Sequence, residues 1–310
     1  MTPIEQSIKR KIESVGVPLK DWDIQINYGI KTGYNDAFII TRTKRDEILA
    51  NCKTEEERSR TDEIIRPILR GRDIKRYGYE WANLYLIATF PARHYNIDSF
   101  PSVKKYLLSF AYDSLLENGN DWVAKNYLAE FCKQKLEQTG QEIVINGKYV
   151  LDPQGHKEKS RKRTNNKWFE TQDSISYWED FFRPKILYPD IMRLPRNKEK
   201  MDKYPYFYYD TKNFFPEATL FLMVGDQLPQ VYDFLCSEIG FFIFSKYYMG
   251  PVFDSTGFRY KKDYLCNLPV PKVKVDSSGA EDYEIKLSEL LGLSREEMDY
   301  IHQYKDNLLL

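Results

Sequence analysis

Apolar and polar positions along the chain fall into two periods. Ile4, Ile8, Ile12 and Val15 recur at helical spacing, Thr2, Pro3 and Glu5 suit the cap, first-turn and capping-box positions, and Gly16 closes the helix. Strand patterns at Ile24 to Ile26 and Ala37 to Thr41 flank a bend in the run YGIKTGYNDAFII, residues 28–40. A charged helix from Thr54 to Ile65 stops at Pro67, and a strand is predicted at Leu84 to Phe90. Helices follow at Val103 to Leu116 and Trp122 to Leu136, then a strand at Ile143 to Val150. Asp152 to Asn166 is polar, turn-rich and basic, the pattern of an exposed loop. Beyond Tyr177 come strands at Lys185 to Tyr188, Tyr206 to Tyr209 and Thr219 to Val224, then one apolar helix from Gln230 to Tyr248. A polar break at Asp276 to Asp282 precedes a last helical pair, with a second capping box at Ser294 and Glu297. Strands and helices do not alternate regularly, so the expected class is α+β, with mixed sheets and packed helices.

The 310 residues, 42% of them hydrophobic, suffice for one large domain or two modest ones. Lys plus Arg and Asp plus Glu number 46 each, which excludes a polycation coating nucleic acid or membrane indiscriminately. Any basic site must be local. Cys52, Cys132, Cys236 and Cys266 are scattered, with no Cys-x-x-Cys pair and none of the three histidines nearby, so neither zinc nor a disulfide framework is indicated. No signal-peptide pattern and no uncharged run of about 18 residues occurs, and a cytoplasmic protein without membrane contact is expected.

The GIKTG phrase is not a phosphate loop, because Lys31 and Thr32 precede Gly33 instead of following it. A hairpin turn is the expected structure, with Gly33 and Asn35 at positive φ and Asp36 satisfying local amides. Such a turn also presents Lys31, Thr32, Tyr34 and Asn35, which offer phosphate donors and an amide able to meet a base edge. Two basic clusters accompany it. Arg66, Arg70, Arg72, Lys75 and Arg76 face only Asp73, and HKEKSRKRTNNKW carries Lys157, Lys159, Arg161, Lys162, Arg163 and Lys167 against Glu158. A solvated face is the ordinary reading of either cluster alone. In a chain of zero net charge, two such concentrations imply a positive face able to follow a phosphate backbone. Catalytic patterns are missing: no G-x-S-x-G elbow, metal-spaced His cluster or G-x-G-x-x-G loop occurs. Asp152-Pro153 continues Gln154-Gly155 where an amino-methyltransferase needs proline and an aromatic ring. Asp276, Glu284 and Lys286 make only a weak metal-nuclease trio in a solvated segment.

Together, WDIQINYGIKTGYNDAFII, IIRPILRGRDIKRY, SRKRTNNKWFETQD, FFRPKILYPDI and DYLCNLPVPK resemble, in this order, the C-terminal target-recognition domain of TaqI-like adenine methyltransferases. The match is closer still to type IIG restriction-modification enzymes, and it covers residues 5–275. The resemblance implies a TaqI-like recognition domain over 21–275 with a basic mobile loop at 152–167. Residues 1–20 would be a linker helix from a catalytic domain, and 276–310 a C-terminal helical extension. It further implies double-stranded DNA as partner, read through the major groove with an adenine positioned for flipping. Methyltransferase and endonuclease domains would act in cis or as a separate subunit. S-adenosylmethionine and magnesium belong to that parent enzyme, with no cofactor, metal or catalytic residue in this chain. By residue type, Lys31, Thr32, Asn35, Arg70, Arg72 and Lys75 are placed at DNA, with Arg161, Lys162, Arg163 and Lys167 as phosphate contacts and Trp168 in the core. Two readings from other classes stand beside this one: a nuclease or methyltransferase with its own site, and a protein-interaction domain whose basic loops are incidental.

Overall fold

A computed structural model describes residues 1–108, 137, 140, 144–146, 149–151, 164–195, 204–249 and 257–308. The first helix, Pro3–Val15, forms with its capping box complete: the Thr2 hydroxyl accepts from the Glu5 amide and the Glu5 carboxylate accepts from the Thr2 amide. Its stripe is buried, with Ile8 and Ile12 fully enclosed in the core. The chain divides into two compact units, one of residues 1–29, 69–82 and 179–310, the other of 30–68 and 83–178.

The first unit is built on a four-stranded sheet in the order Tyr208–Asp210, Lys185–Pro189, Leu220–Gly225, Ile24–Tyr28, with antiparallel neighbours. Register places Ile186 opposite Met223 and Phe221 opposite Tyr28. One face of the sheet carries Ile26, Ile186, Tyr188 and Met223 into a core with Ile8, Phe234 and Phe242. Tyr188 stacks on Phe221 with centroids 5.5 Å apart, and Phe244 on Tyr260 at 4.3 Å. Burying each such ring contributes about 1.5–3 kcal/mol.

The apolar run after Gln230 is divided, not one helix. Helices Leu228–Cys236 and Glu238–Ile243 are followed by a π-helical turn, Phe244–Tyr248. Ser237 is extended at the break, and its hydroxyl accepts the Gly240 amide at 2.9 Å. Apolar residues continue on both sides of Ser237, so periodicity alone does not mark the break. The final pair, Ala280–Leu290 and Arg295–Asn307, opens its second helix with the expected Ser294–Glu297 capping box. Leu287 and Ile301 from this pair enter the same core. The Glu284 carboxylate accepts the Glu238 and Ile239 amides, and Glu238 in turn meets Lys305 at 3.0 Å and His302 at 2.7 Å.

In the second unit, Leu84–Ile87 pairs antiparallel with both Ile39–Thr41 and Ile65–Leu69. Helices Arg42–Ala50, Glu55–Ile64 and Pro101–Leu108 belong to it, each of the first two opened by a threonine cap, Thr41 or Thr54. The strand predicted at Ile143 to Val150 is a hairpin of Val144–Asn146 with Tyr149–Leu151. The helix predicted at Trp122 to Leu136, the second half of that predicted from Val103, and loop residues 152–163 lie outside the described residues. The α+β class expected from the sequence is the class observed.

Candidate nucleic-acid interface

The bend at residues 29–35 is not a hairpin turn. Its flanking strands join different sheets, Tyr28 pairing with Phe221 and Ile39 with Leu86. Gly33 takes the left-handed backbone expected of it, φ 81°, whereas Asn35 opens a single helical turn, Asn35–Phe38. The Asp173 carboxylate accepts the Lys31 amide at 3.1 Å, and the Thr32 hydroxyl accepts the Tyr34 amide at 3.1 Å.

A segment about 140 residues downstream closes the bend. Gln172 donates its amide to the Thr32 carbonyl at 3.0 Å, and Asp173 to the Lys31 carbonyl at 3.2 Å. The Asn166 side-chain amide donates to the carbonyls of Thr171 and Gln172, at 2.8 and 2.9 Å, which folds this segment back on itself. Buried Glu170 accepts the Lys167 amide at 2.8 Å, and buried Thr171 donates its amide to Thr89. GIKTGYND and TNNKWFETQD thus form one hydrogen-bonded corner. Lys31, Asn35 and Lys167 are exposed on it, while Thr32 is 1% exposed and Trp168 packs in the interior as expected. The Thr32 hydroxyl donates to the Asn35 side-chain oxygen at 2.6 Å, so it is engaged locally.

In the first unit, the RGRDIKRY stretch separates its cations by task. Arg70 forks onto Asp73, with Nε to Oδ2 at 3.0 Å and Nη2 to Oδ1 at 2.8 Å, and its backbone amide reaches the same carboxylate. That hydrogen-bonded pairing with Asp73 raises the Arg70 guanidinium above its ordinary range. Gly71 donates to the Thr219 hydroxyl at 2.8 Å, fixing the turn. Arg76 reaches inward to the carbonyls of Tyr204 and Cys236 at 3.1 and 2.8 Å. Arg72 is exposed, and Lys75 is half-exposed with Nζ 3.0 Å from the Arg72 carbonyl and 3.4 Å from Glu80. Arg66, in the second unit, is half-buried, and desolvation lowers its guanidinium below the usual value. Arg161, Lys162 and Arg163 lie outside the described residues.

The side chains of Asp276, Glu284 and Lys286 do not meet one another. Glu284 is committed to the amides of Glu238 and Ile239, Asp276 pairs with Lys274 at 2.7 Å, and Lys286 donates to the Asp276 carbonyl and to Asp282. Among the described residues no group of three or more His, Cys, Asp or Glu could hold a metal ion, and no helix is long and apolar enough to cross a membrane. Sequence reasoning missed Asp173 and the stapling role of Asn166. Nothing in their local sequence marks them, because their partners are remote in the chain.

No protein-family model matches this chain, and no curated protein matches it in sequence. Among solved structures, it is similar to the type IIG restriction endonuclease BpuSI at 13% identity and a TM-score of 0.47, over 99% of this chain and 32% of that one. It is also similar to the type IIL restriction-modification enzyme MmeI, solved in complex with DNA, at 11% identity and a TM-score of 0.41, over 94% of this chain and 33% of that one. The chain spans about a third of the length of each.

Proposed function

We propose that this chain is a sequence-specific reader of double-stranded DNA in a restriction-modification system, positioning DNA for adenine methylation and cleavage by catalytic domains outside it. The observation that carries the reading is the corner where GIKTGYND meets TNNKWFETQD, which holds exposed Lys31, Asn35 and Lys167 on a hydrogen-bonded base. Cations and an amide held this way suit a polar, charged ligand that must be met in a defined geometry. Both stretches that build this corner are among those on which the resemblance to target-recognition domains rests. Arg72 and Lys75, on a turn fixed by the Arg70–Asp73 fork, add a second place for phosphate. S-adenosylmethionine and magnesium would serve the separate catalytic domains.

The test is retention of a randomised duplex library by the chain at moderate salt, followed by sequencing. An enriched motif and a steep fall of affinity with salt are expected. Absence of DNA binding at low salt would defeat the proposal, and metal-dependent cleavage or methyl transfer by the chain alone would replace it with a catalytic one.

A further inference from the structure

The Asn35 amide is polarised by its neighbours. Its side-chain oxygen accepts the proton of the Thr32 hydroxyl at 2.6 Å, and that hydroxyl accepts the Tyr34 amide at 3.1 Å, so the hydroxyl's only proton is committed to Asn35. Thr32 is itself immobile: it is 1% exposed, and its carbonyl accepts the Gln172 amide at 3.0 Å. The neighbouring Lys31 is tied at both backbone ends, its amide to the Asp173 carboxylate and its carbonyl to the Asp173 amide. With the oxygen of Asn35 turned inward to Thr32, the NH2 group is the end of this exposed side chain that is left to meet a ligand.

An asparagine that reads adenine needs both ends of its amide, the oxygen to accept from N6 and the NH2 to donate to N7. Here the oxygen has a buried hydroxyl at 2.6 Å. We infer that Asn35 acts on DNA as a donor only, directed at a hydrogen-bond acceptor, with Thr32 as the positioning residue that sets the amide's orientation. The acceptor is either a base atom, N7 of a purine, O6 of guanine or O4 of thymine, or a phosphate oxygen. Lys31 and Lys167 on the same corner supply the positive field that brings an electron-rich acceptor there. This inference rests on the DNA-reading proposal above and specifies what one of its residues recognises.

The experiment compares the full chain with Asn35→Ala, Thr32→Val and Thr32→Ser, by library selection and by titration with the duplex recovered by the wild type. Thr32→Ser keeps the hydroxyl and should behave as wild type. Asn35→Ala should lower affinity roughly two- to tenfold, the range for one neutral hydrogen bond. Thr32→Val should lose discrimination at the same position as Asn35→Ala, since its amide is free to turn. A loss confined to one base-pair position identifies a base acceptor, and an equal loss on every duplex identifies phosphate. Thermal midpoints separate a misfolded Thr32→Val from a misoriented amide, and Asn35, being exposed, tests the contact without that complication. If the wild type binds DNA and Asn35→Ala binds identically, the donor role is wrong while the DNA reading stands. If the wild type binds no duplex, it is the DNA reading that has failed.

Discussion

The ammonium of Lys185 lies 2.6 Å from the carboxylate of Asp210, and neither side chain is exposed at all. Lys185 also donates to the Phe181 carbonyl at 2.7 Å, and Asp210 accepts the amides of Lys212 and Phe214 at 2.9 and 3.0 Å. Desolvation pulls the lysine below its ordinary value, opposed by the attraction of Asp210. The pair fastens two neighbouring strands of the first unit's sheet, with Lys185 and Asp210 in register.

Removing one member of this pair strands the other charge in the interior. Lys185→Met should cost about 3–5 kcal/mol in chemical denaturation, and Lys185→Met with Asp210→Asn should recover a large part of it. A single-variant cost under about 1 kcal/mol would show that the pair does not organise the sheet.

Acid should loosen the packing of the first helix. Burial alone would raise the Glu5 carboxyl, but hydrogen bonds from Lys246, Tyr300 and the Thr2 amide outweigh it and bring its pKa down to about 2. Between its ordinary value of 4.5 and about 2 the unfolded chain binds the proton more readily, so this contribution is complete above 4.5 and lost as pH falls through that window. Glu57 and Glu297 are lowered too and act in the same sense, whereas Glu284 is raised, chiefly by burial, and acts in the opposite one. The denaturation midpoint should therefore drop below pH 4.5, and drop less in Glu5→Gln; identical acid profiles for the two proteins would remove Glu5 as the cause.

The two arginines of the RGRD turn should fail differently. Arg72→Ala should leave stability within about 0.5 kcal/mol while reducing the slope of log affinity against log salt by about one. Arg70→Ala should destabilise the fold by about 1–3 kcal/mol, because it leaves Asp73, 4% exposed, without its guanidinium. Equal effects of both variants on salt dependence would mean that Arg70 is available to phosphate despite its fork.

Gly240 tests the helix break. A Cβ there would meet the Phe234 carbonyl oxygen at 1.9 Å, and the obstruction is backbone. Gly240→Ala should destabilise by more than about 2 kcal/mol, and a neutral result in thermal denaturation would show that the break can shift.

What the sequence shows and what it hides follow the range of the interactions. Capping boxes at Thr2–Glu5 and Ser294–Glu297 span three residues, and both were legible, as were the stripe of Ile8 and Ile12 and the buried place of Trp168. The break at Ser237 was hidden because it depends on the close approach of Gly240 to Phe234 within an unbroken apolar run. The positive φ of Gly33 is legible, but the bend is no hairpin, and its closure by Asn166 and Asp173 is a tertiary event with no local mark. For the same reason residue type could not separate Arg70 and Arg76, committed to internal partners, from Arg72, which faces water.

The first unit is assembled from three stretches of chain with the second unit threaded between them. Tyr28 is synthesised before the second unit, yet its strand partner Phe221 emerges only after every residue of that unit. On a ribosome the second unit therefore has all its chain before the four-stranded sheet of the first unit can close. Until then Ile24–Tyr28 is an unpaired edge with an apolar face, so the interval before Leu220–Gly225 arrives is when this polypeptide is most exposed to aggregation.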